Sequence, residues 1–572
     1  MQCSFSAGAA VAALDVALPS LRAAEKQRRG LPHRSPALVG TVLFIAFATA
    51  YFTFGAVMIL RYNFFDPDGP SRVANAGYAV LSRNPHLSAI GFVWNPLPSL
   101  TEIPLVAMSR LWPELRTAGL ASVVQSSLFM AGSVLMVRRI ALDRGLGTAW
   151  RWVAIAALAL HPIIVIYGGS GMSEAAEIFC VLWATRNLLR WVQSRDVGHL
   201  AWVGIALGIG YLARYEMAFC AVASATLVAL VTLAARGTTD RRTLSQRVML
   251  NVLIVGFPIA VTFSLWALIG WITTGDLFAT LSSNYGNAGQ IATAEMRGIT
   301  AERSGNNQPL VIATRLLAMQ PLTGIAVVLA GAMAALQRRI DPLVAVFTFG
   351  SVLAFAVWGQ FTGTTFGWFR FYILAIPMVI VIAMCCWQPT YHWAPRWGAA
   401  LLCGSLLVFP ITAGAMLNQD IGNQHLQFGW RSLLDPGKYP PAEQWYRRLR
   451  TDDGLVAGYL DAKYLPNGSV IMDTFAGWGI WLQSDDPEQF VVTSDYDFST
   501  ALNRPWDNHI RYILVSNPAF NDAPDAINLR YPSLWADGAG IGRLVYSAVG
   551  PTGQERWRIY EVAKPPPPKQ RG

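Results

Sequence analysis

Residues 38–60 read LVGTVLFIAFATAYFTFGAVMIL, a stretch without a single charged side chain. It is long enough to cross a bilayer as a helix, which takes about 20 apolar residues. The whole chain has this character: of its 572 residues, 53% are hydrophobic and 14% are charged, against roughly 25% charged in an average soluble protein. This balance excludes a cytosolic enzyme, a disordered chain and a fibrous repeat protein. It predicts a protein that crosses the membrane many times.

Ten further apolar runs follow the first one. The predicted spans cover residues 38–60, 118–137, 149–168, 173–192, 198–213, 215–235, 248–272, 309–336, 341–360, 371–387 and 396–417, of which the fifth and tenth are the shortest. We therefore predict a polytopic α-helical membrane protein with about eleven transmembrane helices in a domain over 38–417, and a C-terminal extracytoplasmic α/β domain.

Charge divides the chain into two parts. Residues 418–572 hold 15 Lys and Arg against 18 Asp and Glu, which leaves 29 against 16 for the first 417 residues. The basic residues cluster in alternate inter-span positions, at 22–34, 138–151, 186–195, 236–247 and 338–339. Basic loops of this kind face the cytoplasm, so the excess needs no nucleic-acid partner. The segment 1–37 is then cytoplasmic, and the first outer loop, 61–117, and the tail lie outside.

The tail changes character after residue 417. Its apolar runs are short and separated by turn residues, as in SVIMDTF, QFVVTSD, IRYILVS, RLVYSAV and RWRIYEV, and a helical piece is expected in PPAEQWYRRLR. Short runs between turn residues are typical of strands. We predict one extracytoplasmic α/β domain over 418–563 and a disordered, proline-rich end at 564–572.

The first outer loop carries the residues of greatest chemical interest. It begins RYNFFDPDGPSRVANAGYAVLSRNPHLSAIGFVWNPLPSL and places Asp66 and Asp68 within eight residues of the end of the first span. A surface helix is predicted from Ser71 to Ser82, and Trp94 follows in a turn-rich segment. Carboxylates at the membrane–water boundary suit a reaction between a lipid-borne and a water-borne partner. The alternative is structural, with Asp68 capping the helix and Asp66 a solvated loop acid.

Further ionisable side chains fall on the same predicted face of the membrane. Glu174 follows the third span, and Arg214 and Glu216 lie in the turn between the fifth and sixth spans. Arg370 enters the membrane at the start of the tenth span. Charges at membrane depth are costly, so these residues are candidates for one internal functional cavity. In the alternative interpretation, Arg214 pairs only with Glu216 and Arg370 reaches the lipid headgroups.

Other polar residues receive structural interpretations. His161, beside Pro162, is expected to be a helix-packing group, and Glu102 and Glu114 are expected on a surface helix. In the tail, DTFAGWGIW and SDYDF are interpreted as loops of a binding domain. The seven His include no two at a metal-ligand spacing, so no metal site is predicted from them.

The order of the motifs resembles that of a known family. A first outer loop with a D-x-D pair, a surface helix and W-N-P-L-P is followed by G-M-S-E, A-R-Y-E and F-R-F-Y-x-L-x-x-P. This order is similar to that of the polytopic glycosyltransferases of superfamily C. Members include protein O-mannosyltransferases, aminoarabinose transferases of lipid A, and mycobacterial arabinosyl- and mannosyltransferases. The similarity covers roughly residues 40–390, and the tail matches as an outer C-terminal domain.

The resemblance implies a catalytic base in the first outer loop. It falls on Asp68 or Asp66, and Asp68 is preferred because its distance to the surface helix is closer to the family's spacing. Several members have adjacent Asp and Glu residues where this chain has Asp-Pro-Asp. The two acids could also hold a divalent cation, although two carboxylates do not establish one, and no other cofactor is implied.

The resemblance also implies roles for the remaining polar residues. Arg370, together with Arg214, is implied to bind the donor phosphate, and the positions that shape the cavity are Glu174, Glu216 and Trp94. The implied activity is transfer of a hexosyl or pentosyl group from a polyprenyl-phosphate donor to an envelope glycan, lipid or protein acceptor. It takes place, with inversion, at the outer face of the plasma (inner) membrane among membrane lipids.

Two other functions are weighed against a transferase of this type. The main alternative is a polytopic transporter or lipid-linked-sugar flippase, which would more often show internal repeats and broken helices paired across two halves. Neither feature is visible in the sequence. A membrane phospho- or acyltransferase would need a Ser or Thr nucleophile with a base, or a His–Asp pair, and neither can be assigned.

Overall fold

The computed structural model describes residues 36–235, 240–283, 285–286, 289–292, 309–387, 393–422, 425–519, 525–550 and 553–564. The predicted cytoplasmic segment 1–37 and the predicted disordered end 564–572 lie almost entirely outside these residues. So does part of the predicted basic loop 236–247.

The first 417 residues are helical wherever an apolar run was identified. The helices are α1 (Pro36–Tyr62), α2 (Asp68–Leu81), α3 (Leu97–Ala107), α4 (Leu120–Asp143), α5 (Thr148–Ala159), α6 (Pro162–Gly168), α7 (Glu174–Ser194), α8 (Val197–Ala213), α9 (Met217–Ala234), α10 (Arg241–Thr274), α11 (Pro309–Met319), α12 (Thr323–Gln337), α13 (Asp341–Thr362), α14 (Ala375–Cys385), α15 (Trp393–Leu407) and α16 (Phe409–Leu417). Short helical turns cover Leu87–Ile90, Met108–Arg110, Glu114–Thr117, Ala279–Ser282 and Phe369–Tyr372. The surface helix predicted from Ser71 to Ser82 is α2.

The predicted eleven membrane spans are not confirmed. Among the described residues six segments are long and apolar enough to span a membrane, one of them formed by α15 and α16 together, or eight if each of two bent pairs counts as one span. The bent pairs are α5–α6, at 66°, and α11–α12, at 81°. Pro162 and Pro321 lie at the two bends, where proline removes a backbone N–H from the helix ladder. The composition and these helices together indicate a polytopic membrane protein.

The helices differ in how much of their surface other helices cover. In the most apolar stretch of α4, 78% of residues are buried within the protein, against 11% in α10. On α10, Phe257 and Ile272 are exposed although they are large and apolar. An apolar helix surface that the protein leaves uncovered is suited to lipid.

The two ends of the helical domain carry different charges. At one end Arg144 Nη1 lies 3.0 Å from Asp341 Oδ2, and Arg186 Nε lies 2.8 Å from Asp143 Oδ2. These contacts bring the predicted basic loops 138–151, 186–195 and 338–339 together. The opposite end of α4 and the turn before α7 lie against the first outer loop, where Gly69 approaches Ser122 and Ser170.

The tail forms the predicted α/β domain with one five-stranded sheet. The strands are β1 (Val470–Ile471), β2 (Phe490–Val491), β3 (Tyr512–Ser516), β4 (Gly542–Val549) and β5 (Glu555–Val562). Their order is β2-β1-β3-β5-β4, with β1 parallel to both β2 and β3, and β5 antiparallel to both β3 and β4. The two longest tail helices are α17 (Trp445–Asp461) and α18 (Thr474–Gln483). Shorter helical turns cover His425–Phe428, Arg431–Leu434, Pro441–Glu443, Pro487–Gln489, Phe498–Asn503, Ala526–Arg530, Leu534–Asp537 and Gly538–Gly540.

One prediction for the tail is wrong. The sequence DTFAGWGIW, interpreted as a loop, forms most of α18. Asp473 caps this helix, because its Oδ1 accepts a hydrogen bond of 2.7 Å from the backbone N–H of Phe475. The two glycines weaken the helical signal in the sequence, and packing of the helix overrides it.

The tail domain packs directly on the surface helix α2. The ring of Trp481, in α18, meets the ring of Tyr78 edge-on, with centroids 4.8 Å apart, and Gly77 leaves the space that the indole fills. Just beyond α2, Arg83 Nη2 lies 3.2 Å from Asp495 Oδ2. The helix that begins at Asp68 is therefore held by contacts with both domains.

Candidate active site

The first outer loop turns sharply into α2 at the two predicted acids. Asp66 is buried, and its Oδ1 accepts a hydrogen bond of 3.1 Å from the backbone N–H of Asp68. Asp68 is the first residue of α2, and 22% of its side chain is exposed. Asp66 is therefore not a solvated loop acid, and the N-cap position of α2 is Pro67 and not Asp68.

A glycine allows this turn to approach the next element closely. A Cβ atom on Gly69 would lie 2.8 Å from the carbonyl oxygen of Ser170. With hydrogen in that place, the start of α2 packs against the turn that precedes α7. This contact brings the two aspartates near Glu174, the first residue of α7.

Burial changes the acidity of Asp66. Loss of water around the carboxyl group, and then the nearby charge of Asp68, raise the pKa of Asp66 to about 6, against the opposing attraction of Arg370. Asp66 therefore gains and loses a proton near pH 6.

Arg370 lies at the centre of the cluster. It belongs to the helical turn Phe369–Tyr372, and its guanidinium contacts three carboxylates. Nη1 lies 3.3 Å from Asp66 Oδ2, Nη2 lies 3.2 Å from Asp68 Oδ2, and Nε lies 3.1 Å from Glu174 Oε1. The ring of Trp368 covers the guanidinium at 4.2 Å. The alternative in which Arg370 reaches the lipid headgroups is wrong, because its side chain is 3% exposed.

Arg214 extends the cluster on the other side of Glu174. At the end of α8, its Nη1 lies 2.9 Å from Glu174 Oε1, its Nη2 lies 2.7 Å from Glu216 Oε1, and its Nε lies 3.3 Å from Glu177 Oε2. Arg214 therefore pairs with Glu216, as the structural alternative expected, and with two further acids. Oε1 of Glu174 bridges the two arginines.

A cavity of about 60 Å³ opens beside this cluster, with room for several water molecules. Its lining consists of Asp68, Arg72, Val93, Trp94, Asn95, Met172, Ser173, Ala213, Arg214, Tyr215, Glu216, Thr280, Tyr285, Gly286, Gln290, Trp368, Arg370 and Phe371. The residues come from the first outer loop, from the ends of the transmembrane helices, and from the segment after α10. The cavity therefore gives Asp68 access to solvent.

All the predicted site residues meet at this cavity or in the cluster beside it. Asp68, Arg370, Arg214, Glu216 and Trp94 line the cavity, whereas Asp66 and Glu174 lie behind them. One cluster thus joins residues that are 304 positions apart in the chain.

Two residues of the site were missed by the sequence analysis. Glu177 lies one turn after Glu174 on α7, and Arg72 lies one turn after Asp68 on α2. Residues three or four positions apart share a face of a helix. This spacing from an already identified acid was the available signal for both.

For the remaining polar residues, the predictions from sequence agree with the structure to different degrees. Glu102 lies on α3, as expected for a helix next to the membrane, but it is fully buried and neither carboxyl oxygen has a hydrogen-bond partner. Burial therefore raises the pKa of Glu102 well above its usual range, although Arg72 opposes the shift. Glu114 begins a short helix outside the cavity lining. His161 is buried at the bend between α5 and α6, against Phe409 at 5.1 Å.

The residues do not fit a resident metal ion well. Among the described residues no group of three or more His, Cys, Asp or Glu could hold one. Asp66 and Asp68 both face Arg370, so a cation between them would meet the guanidinium.

The cluster carries an excess of negative charge. Asp66, Asp68, Glu174, Glu177 and Glu216 surround the two paired arginines. Of these acids, Asp68 and Glu216 line the cavity. Such a site can accept a proton from a molecule in the cavity and place fixed positive charge close to it.

Comparison with known proteins gives little direct guidance. No family model matches the sequence, and no curated protein matches it. Among solved structures, the chain is similar to the Archaeoglobus fulgidus oligosaccharyltransferase tethered with an acceptor peptide, with a TM-score of 0.39 and 11% identity over 91% of this chain and 74% of that one. For the complex of that enzyme with Zn and sulfate, the TM-score is 0.34 and the identity is 12%, over 90% of this chain and 72% of that one. A third similar structure is archaeal oligosaccharyltransferase AglB, also from Archaeoglobus fulgidus, in complex with an inhibitory peptide and a dolichol-phosphate. Its TM-score is 0.32 and its identity is 12%, over 91% of this chain and 74% of that one. The chemistry of the site therefore has to be inferred from its own residues.

Proposed function

We propose that this protein is a membrane glycosyltransferase that moves a sugar from a polyprenyl-phosphate donor to an acceptor hydroxyl. The acceptor is an envelope glycan, lipid or protein. The observation that carries the proposal is the meeting of Asp66, Asp68 and Arg370 beside one cavity. The reaction requires a carboxylate to accept a proton and fixed positive charge to stabilise a leaving phosphate. The cluster contains both.

Asp68 is the proposed general base, because its side chain faces the cavity whereas that of Asp66 is buried behind it. The acceptor hydroxyl loses its proton to Asp68 as its oxygen forms a bond to the anomeric carbon. The bond from that carbon to the phosphate oxygen breaks, and the phosphate keeps the electron pair. This single displacement inverts the anomeric centre. General-base catalysis of this kind contributes about 10²–10⁴-fold to the rate.

Arg370 and Arg214 supply positive charge for the leaving phosphate in this proposal. Each guanidinium already contacts three carboxylates. Three of the five N–H groups of each guanidinium therefore face acids, and few remain for direct hydrogen bonds to a phosphate. Their charges still act across the cavity wall, where the low dielectric strengthens electrostatic interactions. Glu174 holds the two arginines in place, and Glu216 and Trp94 complete the wall.

The proposed location is the plasma (inner) membrane, with the N-terminus in the cytoplasm and the cavity and tail domain outside. The paired basic loops at the end of the helical domain away from the cavity support this orientation. Alkaline phosphatase and a fluorescent protein fused after about residue 420 provide the test. Phosphatase activity is expected, and fluorescence typical of the cytoplasm would reverse the orientation.

A polytopic transporter or lipid-linked-sugar flippase is the alternative function. The two bent helix pairs are a feature that transporters share, since their broken helices direct backbone ends at the substrate. In this protein, none of the described residues lining the cavity comes from the bend between α5 and α6 or from that between α11 and α12. This placement favours the transferase.

The decisive experiment uses the full chain purified in lipid nanodiscs. It is incubated with a panel of polyprenyl-phosphate hexoses and pentoses and an envelope extract as acceptor, with EDTA or added Mg²⁺ in parallel arms. We expect release of polyprenyl phosphate coupled to a glycosylated product of opposite anomeric configuration. Movement of the intact donor between leaflets of proteoliposomes, without cleavage, would establish the alternative.

A further inference from the structure

Arg72 stands out among the cations at the cavity. It lies one turn after Asp68 on α2, its residue is 4% exposed, and it contributes to the cavity lining. Nη1 donates a hydrogen bond of 3.1 Å to the backbone oxygen of Asp68. The ring of Trp94 covers the guanidinium at 5.0 Å. These contacts hold the planar group in one orientation.

Arg72 has no carboxylate partner within 4 Å in the described part of the chain, in contrast to Arg370 and Arg214. In the described part of the chain its hydrogen bonds engage only Nη1, which also lies 3.9 Å from the sulfur of Met172. Glu102 and Glu174 lie close enough to interact electrostatically with Arg72, but neither makes a hydrogen bond to it. A buried charge without a direct partner is costly, so its retention beside a cavity calls for an anionic ligand.

We propose that Arg72 is the direct ligand of the phosphate of a membrane-embedded lipid phosphate in this cavity. The inference rests on the proposed function and deepens it, because it assigns the donor phosphate to a residue that the sequence analysis did not consider. Nε and Nη2 of Arg72 can donate two parallel hydrogen bonds to phosphate oxygens, an arrangement for which a guanidinium is suited. Arg370 and Arg214 then hold the acids, and Arg72 holds the anion.

The arrangement on α2 makes this assignment chemically useful. Asp68 and Arg72 share one face of a helix that the tail domain and the transmembrane domain both fix. Binding of a phosphate to Arg72 would place the attached sugar near Asp68 without movement of the surrounding ion pairs. A short, rigid element of this kind positions reacting groups better than a mobile loop.

The test is equilibrium binding of polyprenyl phosphate to the full chain in nanodiscs of neutral lipid, without any sugar donor. Wild type is compared with Arg72→Gln, Arg72→Lys and the exposed control Arg110→Gln. Polyprenol, which lacks the phosphate, and inorganic phosphate serve as competitors. We expect Arg72→Gln to lose at least about tenfold in affinity, Arg72→Lys to lose less, and Arg110→Gln to bind as wild type does. Polyprenol is expected to compete poorly.

Three results would overturn the inference. They are unchanged affinity in a folded Arg72→Gln or Arg72→Lys variant, equal wild-type affinity for polyprenol and polyprenyl phosphate, and displacement of the lipid by inorganic phosphate at equal concentration. The last result would assign the site to free phosphate. If Arg72→Gln fails to fold, the Arg72→Lys comparison and the competitors decide. Phosphate-dependent binding through Arg72 without glycosyl transfer in wild type would refute the proposed function and leave this inference intact.

Discussion

Two clusters of arginines and acids occupy opposite ends of the same helices. At the end away from the cavity, Asp341 contacts both Arg144 and Arg339, and Asp143 contacts Arg186. There the arginines outnumber the acids, and none of these residues lines the cavity. Beside the cavity, five acids surround Arg370 and Arg214.

The difference separates structural ion pairs from candidate catalytic ones. Where basic residues hold every acid against packed helices, removal of one partner should affect stability. Where acids outnumber the paired arginines and one of them faces water, a proton can be transferred. Substitutions in the cluster beside the cavity should therefore lower turnover, and substitutions in the opposite cluster should lower stability.

The largest effect is expected at Asp68. Asp68→Asn preserves the size of the side chain but cannot accept a proton at neutral pH. Turnover should fall by at least about 100-fold with little change in the thermal midpoint. Asp143→Asn, at the opposite cluster, is the matched control and should retain turnover. Near-normal activity of Asp68→Asn, Asp66→Asn and the double variant would remove the first outer loop from catalysis, and a larger loss for Asp66→Asn would transfer the role of base to Asp66.

The second effect is expected at Arg370. Arg370→Lys retains the charge but replaces a planar group that contacts three carboxylates with a point charge. Loss of one or two charge-assisted hydrogen bonds should lower turnover by at least about tenfold. The matched variant is Arg186→Lys, which should leave turnover unchanged. Equal turnover of Arg370→Lys and wild type would show that the geometry of the cavity cluster is not needed.

The opposite outcome is expected for Arg144. Arg144→Gln removes one partner of Asp341, while Arg339 Nη2, at 2.5 Å, still neutralises that acid. The free energy of unfolding should fall by about 1–2 kcal/mol, measured by thermal denaturation in detergent. Turnover per folded molecule should be that of wild type. A specific loss of turnover at full stability would mean that the two clusters are functionally coupled.

The smallest effect concerns pH. Because the pKa of Asp66 is raised to about 6, Asp66 gains a proton as the pH falls through that value. Protonation removes the negative charge of Asp66 from its contact with Arg370 and disturbs the cluster beside Asp68, so kcat/KM should fall below about pH 6 and be level above it. In Asp66→Asn this titrating group is absent, so the acid limb near pH 6 should be lost. Arg144→Gln should show the same acid limb as wild type. An unchanged acid limb in Asp66→Asn would assign that limb to another titrating group.

Sequence pattern was sufficient where local spacing decides structure. The helix predicted from Ser71 to Ser82 lies over Asp68–Leu81, and each of the five apolar runs of the tail overlaps one of the five strands. Hydrophobic periodicity and turn residues act over a few positions, so they can be read along the chain. Pro162 and Pro321 mark the two bends in the sequence, but the prediction treats residues 149–168 and 309–336 as continuous spans.

Predictions from the local sequence pattern failed where tertiary packing determines the structure. Glu102 lies on the expected helix, yet it is completely buried. The stretch DTFAGWGIW became a helix because Asp473 caps it and Trp481 packs on α2. The contact of Trp481 with α2 joins segments hundreds of residues apart.

The sequence by itself determined that this is a polytopic helical membrane protein with an α/β tail, and which polar residues lie toward one end of its helices. Apolar length and charge spacing fix those properties because they depend only on neighbouring residues and on the bilayer. Tertiary structure alone decided which charges pair. Arg370 meets Asp66 across 304 positions, and Arg72 is left without a carboxylate contact among the described residues. Pairing depends on distances in space, so it follows from helix packing and not from any one-dimensional pattern.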